Sequence, residues 1–177
     1  MRSIHALVTL VVLVFGSTIL HAQSAAGLRW TTPAGWQTAP EQPMRAATYR
    51  VPPAPGDSAP GECAVYFFGA GQGGSVADNL DRWKGQFTGA DGKPSPAKTA
   101  RLTVNGIPVT TIDVSGTYSG MGGPMAASKP VPGYRLLGAI VEGPGGSVFV
   151  KFTGPQNTVM ANQAKFDTFL KSFQKAR

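Results

Sequence analysis

The residues of this chain able to carry chemistry are few, and the two most versatile stand where they are least useful. His5 and His21 are the 2 histidines among 177 residues. Both fall within residues 1–22, which have the three parts of a secretory signal: Arg2 at the start, an apolar run at 6–15, and a polar, small-residue exit at 17–22. Cleavage is expected after Ala22 or, a little later, Ala26. The run is far shorter than the ~20 residues a helix needs to span a bilayer, so a removed leader fits better than an anchor. No cysteine lies near either cut to carry a lipid. The mature chain then has no imidazole and a single thiol, Cys63, which removes most metal and general-base chemistry. On this inventory no catalytic residue, metal ligand or cofactor is assigned.

The remaining candidates are carboxylates, glycines, methionines and two Ser-x-x-Lys runs. Glu62, Asp78, Asp81, Asp113 and Glu142 would support glycoside hydrolysis if two met in a cleft, but nothing in their spacing indicates a meeting. Asp113 lies in a strand-like run, where it points outward or pairs with an arginine across the sheet. Ser95 with Lys98, and Ser172 with Lys175, match a serine-lysine pattern whose usual companion motifs are absent. Gly69-Ala70-Gly71-Gln72-Gly73-Gly74 satisfies G-x-G-x-x-G between a strand and a helix, where backbone amides could approach a phosphate. The chain beyond that helix reads as hairpins and not as a parallel crossover, so the segment is taken as a flexible connector with incidental anion affinity. Residues 119–130 form a second glycine-rich loop carrying Met121 and Met125. Two thioethers without histidine make an incomplete Cu(I) site; packing on a sheet edge or presentation to a partner is the better reading. Cys63 sits in an apolar run and is expected as a buried strand thiol.

The elements that position these residues are read from punctuation and period. The 23 glycines and 15 prolines cut the chain into short pieces with β-branched and aromatic runs between them. Strands are expected at 28–32, 44–51, 62–68 (apolar on both faces, hence central), 101–104, 108–118, 135–142 and 147–153. Asn105-Gly106 is a two-residue hairpin signal, and residues 143–146 read as a second hairpin. Val76, Leu80, Trp83 and Phe87 recur at helical spacing behind Ser75, a cap, with Asp78 in the first turn. Asp78 and Arg82 could pair one turn apart. The polar stripe Asn79, Arg82 and Gln86 is either solvated, bonded to a neighbouring loop, or turned to a cleft. A closing helix carries Val159, Phe166, Phe169, Leu170 and Phe173, with Lys171 and Lys175 suiting its negative end.

One domain over residues 23–177 is expected, its core large enough to need no disulfide. The fold class is α+β: an antiparallel sheet with helices packed on it. The charge of +7 is scattered through the chain and not gathered in a stripe, which argues against a nucleic-acid partner. Weak attraction to an acidic envelope polymer is compatible with it.

Trp30 followed by Pro33-x-Gly35-Trp36, with Gly73-Gly74, Asn79-Leu80-Asp81-Arg82-Trp83 and Gln86-Phe87, resembles the Mog1/PsbP-like superfamily, and within it uncharacterised secreted bacterial proteins. The resemblance covers nearly all of the mature chain, and its motifs look structural. It implies a central antiparallel β-sheet flanked by helices, an α/β/α sandwich, and a non-catalytic module that binds another protein. The sequence therefore reads as a secreted or periplasmic accessory module with an unidentified protein partner in the cell envelope and no transmembrane segment after cleavage. Gly71, Gly73, Gly74, Asn79, Arg82 and Gln86 form one candidate surface, Met121 and Met125 another. A carboxylate-dependent hydrolase and an envelope-polymer binder are the alternatives.

Overall fold

The computed structural model describes residues 22–120 and 129–176. Eleven strands and three helices run in the order β1 (Ala22–Ala25), β2 (Leu28–Thr31), β3 (Gln37–Thr38), β4 (Arg45–Val51), β5 (Gly61–Tyr66), α1 (Val76–Lys84), β6 (Phe87–Thr88), β7 (Ala97–Val104), β8 (Ile107–Tyr118), β9 (Val131–Gly143), β10 (Gly146–Pro155), α2 (Gln156–Ala161), α3 (Gln163–Lys171) and β11 (Gln174–Lys175), among the described residues. The main sheet runs β3-β4-β5-β10-β9-β8-β6, with β7 also on the outer side of β8, and every pairing described is antiparallel. A small second sheet, β1-β2-β11, ties the start of the described chain to its end.

Both expected hairpins form. Val104 pairs with Ile107 across Asn105 and Gly106, whose φ values of 48° and 76° give the twist that suits a two-residue turn. Gly143 pairs with Gly146. β5 is central, between β4 and β10, but it is not apolar on both faces. Cys63 and Val65 enter one core, while Glu62 and Tyr66 point to the other side.

Side chains alternate across the pleat, and the two faces of the sheet are covered differently. On the first, Val148, Val150 and Phe152 of β10 meet Phe166, Phe169 and Leu170 of α3 and the aromatics Trp30, Trp36 and Tyr49. On the second, Trp83 and Phe87 cover Ile112, Leu136, Ile140 and Phe149. Helical cover is minor: the molecule is mostly antiparallel sheet, with short helices over part of each face.

The closing helix expected from its apolar stripe is two. Asn162 interrupts it at φ −106°, ψ 7°, held by a hydrogen bond from its amide to the Thr158 carbonyl (3.0 Å) and another from the Trp36 indole N–H to its Oδ1 (3.2 Å). Lys171 stands in the last turn of α3, whereas Lys175 belongs to β11. The long proline loop is pinned to the start of α2, where Asp57 accepts from the Thr158 amide (2.8 Å) and hydroxyl (2.6 Å). Those bonds lower the Asp57 carboxyl below its ordinary value.

Candidate binding cleft

The centre of the second face is a buried cation. In Val148-Phe149-Val150-Lys151-Phe152 the period of two puts Lys151 on the same side as Phe149, and its side chain is 8 % exposed. One wall is Trp83, whose ring centroid lies 5.9 Å from the ammonium. That indole lies flat because the strand beneath it carries Gly138: a Cβ there would stand 2.6 Å from the ring. Gln86, just past α1, is held by its amide to the Trp83 carbonyl (3.2 Å) and by the Ser119 amide to its own carbonyl (3.0 Å). Its side-chain Oε1 accepts from Lys151 Nζ at 2.9 Å. Burial pushes the Lys151 ammonium down to about 8, aided by Arg82 and Arg45 and opposed by Glu62.

Beside Lys151 the sheet is open. A hollow of about 230 Å³ is lined by Glu62, Tyr66, Tyr118, Tyr134, Lys151 and Thr153, among others. Tyr118 and Tyr134 stack at 5.9 Å and 2°, and Phe87 backs Tyr118 at 5.0 Å. Arg45 lies over the Tyr66 ring (5.3 Å) and pairs with Glu62 at 3.0 Å. It is turned there by a bulge between Arg45 and Ala47, after Met44 at φ 64°. Burial raises the phenols of Tyr66 and Tyr118 above their ordinary value.

Tyr66 stacks on Phe68, and on the far side of that pair is a larger hollow of about 620 Å³, bounded by Met44, Phe67, Phe68, Gly73, Gly74 and Arg82, among others. Here the structure joins several residues singled out from the sequence. Asn79 is fully buried, and its amide donates to the carbonyls of Gly73 and Ser75, both at 2.8 Å. Its Oδ1 accepts from Arg82. Asn79 and Gln86 are therefore interior, not solvated, and they divide: one ties down the glycine loop, the other serves Lys151. Arg82 turns to Asn79 rather than to Asp78.

Gly73 is required by packing, since a Cβ would come within 2.6 Å of the Phe149 ring at φ 95°, while Gly71 faces open space. The loop is thus fastened at Gly73 and is not a free connector. Its helix start is also taken: Ser75 Oγ accepts from the Asp78 amide (3.1 Å) and donates to the Asp78 carboxylate (2.6 Å). The Asp78 amide is thus capped by a serine hydroxyl, with the Asp78 carboxylate held beside it. Met121 and Met125 lie outside the described residues.

The other candidates separate. Asp113 makes two bonds to Arg135, at 2.8 and 2.7 Å, the pairing across strands that the sequence allowed. Asp81 pairs with Lys84. Asp113 shares a hollow of about 410 Å³ with Asp167, Lys98 and Lys171, so the charges there balance. Ser95 is buried and Lys98 exposed, while Ser172 bonds the Thr31 amide and the Phe169 carbonyl. Cys63 is buried, and burial pushes its thiol well above the ordinary value. Among the described residues no three His, Cys, Asp or Glu side chains could hold a metal ion, and no helix is long and apolar enough to cross a membrane.

Sequence reasoning missed Lys151 and its three tyrosines. The available signal was a lone charge inside an apolar strand run, and aromatics at alternate strand positions.

No protein-family model and no curated protein matches the chain. Solved structures do. Cyanobacterial PsbP from Synechocystis aligns over 93 % of this chain and 97 % of its own, at a TM-score of 0.53 and 13 % identity. A Pseudomonas aeruginosa protein of unknown function, described as a candidate regulator, aligns over 86 % of this chain and 94 % of its own, at 0.50 and 11 %. The chain has the Mog1/PsbP-like fold that Trp30, Trp36 and the Asn79–Trp83 block suggested.

Proposed function

We propose that this chain is an exported, non-catalytic accessory module that binds a protein partner through the tyrosine-lined face beside α1. One observation carries the reading: on the sheet face that α2 and α3 do not cover, three half-buried tyrosines surround a buried cation in an open hollow. Tyrosines of this kind give large contact area at low entropic cost, with a polar tip for orientation. Four of the five carboxylates singled out from the sequence are occupied, Glu62 by Arg45, Asp78 by the helix cap, Asp81 by Lys84 and Asp113 by Arg135. The fifth, Glu142, is exposed at the end of β9, outside the lining of the hollow. The fold shared with PsbP is compatible with such a role and carries no more than that. Export rests on residues 1–22, and the intact mass of the cell-envelope form, beginning at Gln23 or Gly27, tests it.

Binding is tested by placing a photocrosslinking side chain at Thr153, in the hollow, and at Ala164 on the exposed side of α3. A discrete protein adduct in intact cells from Thr153 and not from Ala164 supports the reading. Equal adducts from both positions, or a polydisperse polymer adduct released by moderate salt, refutes it.

A further inference from the structure

We propose that the hollow at Lys151 is a carboxylate-binding site, taking the acidic side chain or terminal carboxylate of a polypeptide between the Lys151 ammonium and the hydroxyls of Tyr66, Tyr118, Tyr134 and Thr153. The inference rests on reading this face as the binding surface and names the chemistry it selects.

Four observations lead to it. An ammonium has three N–H donors, and Lys151 gives one to Gln86. Among the described residues no carboxylate stands within ion-pair distance of it, so a cation 8 % exposed has one side-chain acceptor and no counter-ion among them. That is a costly state, and an incoming anion would relieve it.

Second, the hydroxyls of Tyr66, Tyr118 and Tyr134 make no hydrogen bond to a described residue, so the wall around the ammonium is supplied with free donors. Third, charge favours an anion. The groups facing Lys151 are Arg82 from α1, Arg45 from β4 and Glu62 from β5, with neutral phenols from β5, β8 and β9. Arg82 and Arg45 do not line the hollow; Glu62 does, but it is already held by Arg45 at 3.0 Å, which leaves the ammonium as the unmatched charge there.

Fourth, size sets the class. The hollow of about 230 Å³ is many times the ~10–15 Å³ of probe volume that one water needs. It admits a carboxylate with a short aliphatic stem along the tyrosine rings. Only one cation lines it, which matches a single negative charge better than a dianionic phosphate.

The test is calorimetric titration of the purified mature chain with three capped peptides. Acetyl-Gly-Gly-Glu-Gly-Gly-amide offers a side-chain carboxylate, acetyl-Gly-Gly-Gly with a free terminus offers a main-chain one, and acetyl-Gly-Gly-Gln-Gly-Gly-amide offers neither. At least one charged peptide is expected to bind at least tenfold more tightly than the neutral one, and the stronger of the two identifies the source. Affinity should fall about tenfold from pH 7 to pH 9, as an ammonium titrating near 8 discharges while the raised phenols stay neutral. Lys151→Met should abolish the preference for charge. Tyr134→Phe, which removes one hydroxyl and keeps the stack, should weaken binding about threefold and keeps the test open if the lysine variant does not fold. Equal binding of charged and neutral peptides, no binding by any of them, a flat pH profile, or inorganic phosphate binding more tightly than both charged peptides would overturn the assignment. Because the peptides act on the isolated chain, this result is separable from the crosslink at Thr153, which reports a partner whatever its chemistry.

Discussion

Replacing Lys151 by methionine should change how the stability of this protein depends on pH, in a window and with a sign that come from its burial. The ammonium ionises near 8 in the folded chain, against 10.5 for an ordinary lysine. At ~1.4 kcal/mol per pH unit this difference is roughly 3 kcal/mol of destabilisation when the group is charged. Between those two values the unfolded chain binds more protons than the folded one, so stability rises with pH. Below about 8 the penalty is present in full; it disappears as pH climbs towards 10.5. From pH 7.5 to 9.5 the recovery amounts to ~2 kcal/mol.

Other groups titrate nearby and act oppositely. The Cys63 thiol keeps its proton when folded and loses it when unfolded, so stability falls as pH passes 9; the raised phenols of Tyr49, Tyr66 and Tyr118 do the same above 10. The quantity to read is therefore the difference between wild type and Lys151→Met, in which these terms cancel. The variant leaves Gln86 Oε1 without its donor, which costs ~1–3 kcal/mol at every pH and does not enter the slope. Urea titrations at the two pH values should show the wild-type midpoint gaining about 1 M on the variant, at ~2 kcal/mol per M. Midpoints that move in parallel would mean that the ammonium is hydrated when folded, and its burial against Trp83 and Gln86 would be wrong.

Gly73→Ala should cost ~2–4 kcal/mol, because its Cβ meets the Phe149 ring at a positive φ, whereas Gly71→Ala, in open space, should cost ~1 kcal/mol; equal urea midpoints would contradict the packing. Cys63, the chain's 1 cysteine, should react with an aromatic disulfide at pH 8 only as fast as the chain opens, and prompt labelling of folded protein would refute its burial. Tyr49 donates to Gln23 Oε1 at 2.7 Å, and β1 pairs along β2, so a chain starting at Gly27 should melt at least ~4 °C below one starting at Gln23. Coincident melting curves would show that β1 contributes nothing.

Much of the fold is legible in the sequence where the signal is local. Asn105-Gly106 sets the register of β7 on β8 because the turn needs two positive φ values that few other pairs supply. Ser75 and Asp78 mark the start of α1 because both act within one turn. The two-residue strands β3, β6 and β11 are not legible: β6 and β11 exist through partners far along the chain, and no short window contains the reason for any of the three. The break at Asn162 is of the same kind, since Trp36, distant in sequence, holds its side chain.

The candidate site was half visible for the same reason. Asn79, Arg82 and Gln86 are readable as a polar stripe, but a stripe on a helix says nothing about what faces it. Asn79 is interior because the carbonyls of Gly73 and Ser75 need a donor, and Gln86 is interior because Lys151 needs an acceptor. Lys151 itself breaks the apolar pattern of β10 at a position where a methionine or leucine would satisfy burial without loss of hydration. A charge set into a covered strand at a cost of about 3 kcal/mol is not explained by folding, since Gln86 and Trp83 compensate it only in part. The carboxylate ligand proposed above would account for it. On that proposal the same lack of a counter-ion that weakens the free chain would make the hollow selective, because a neutral ligand leaves the ammonium as it found it and an anion does not.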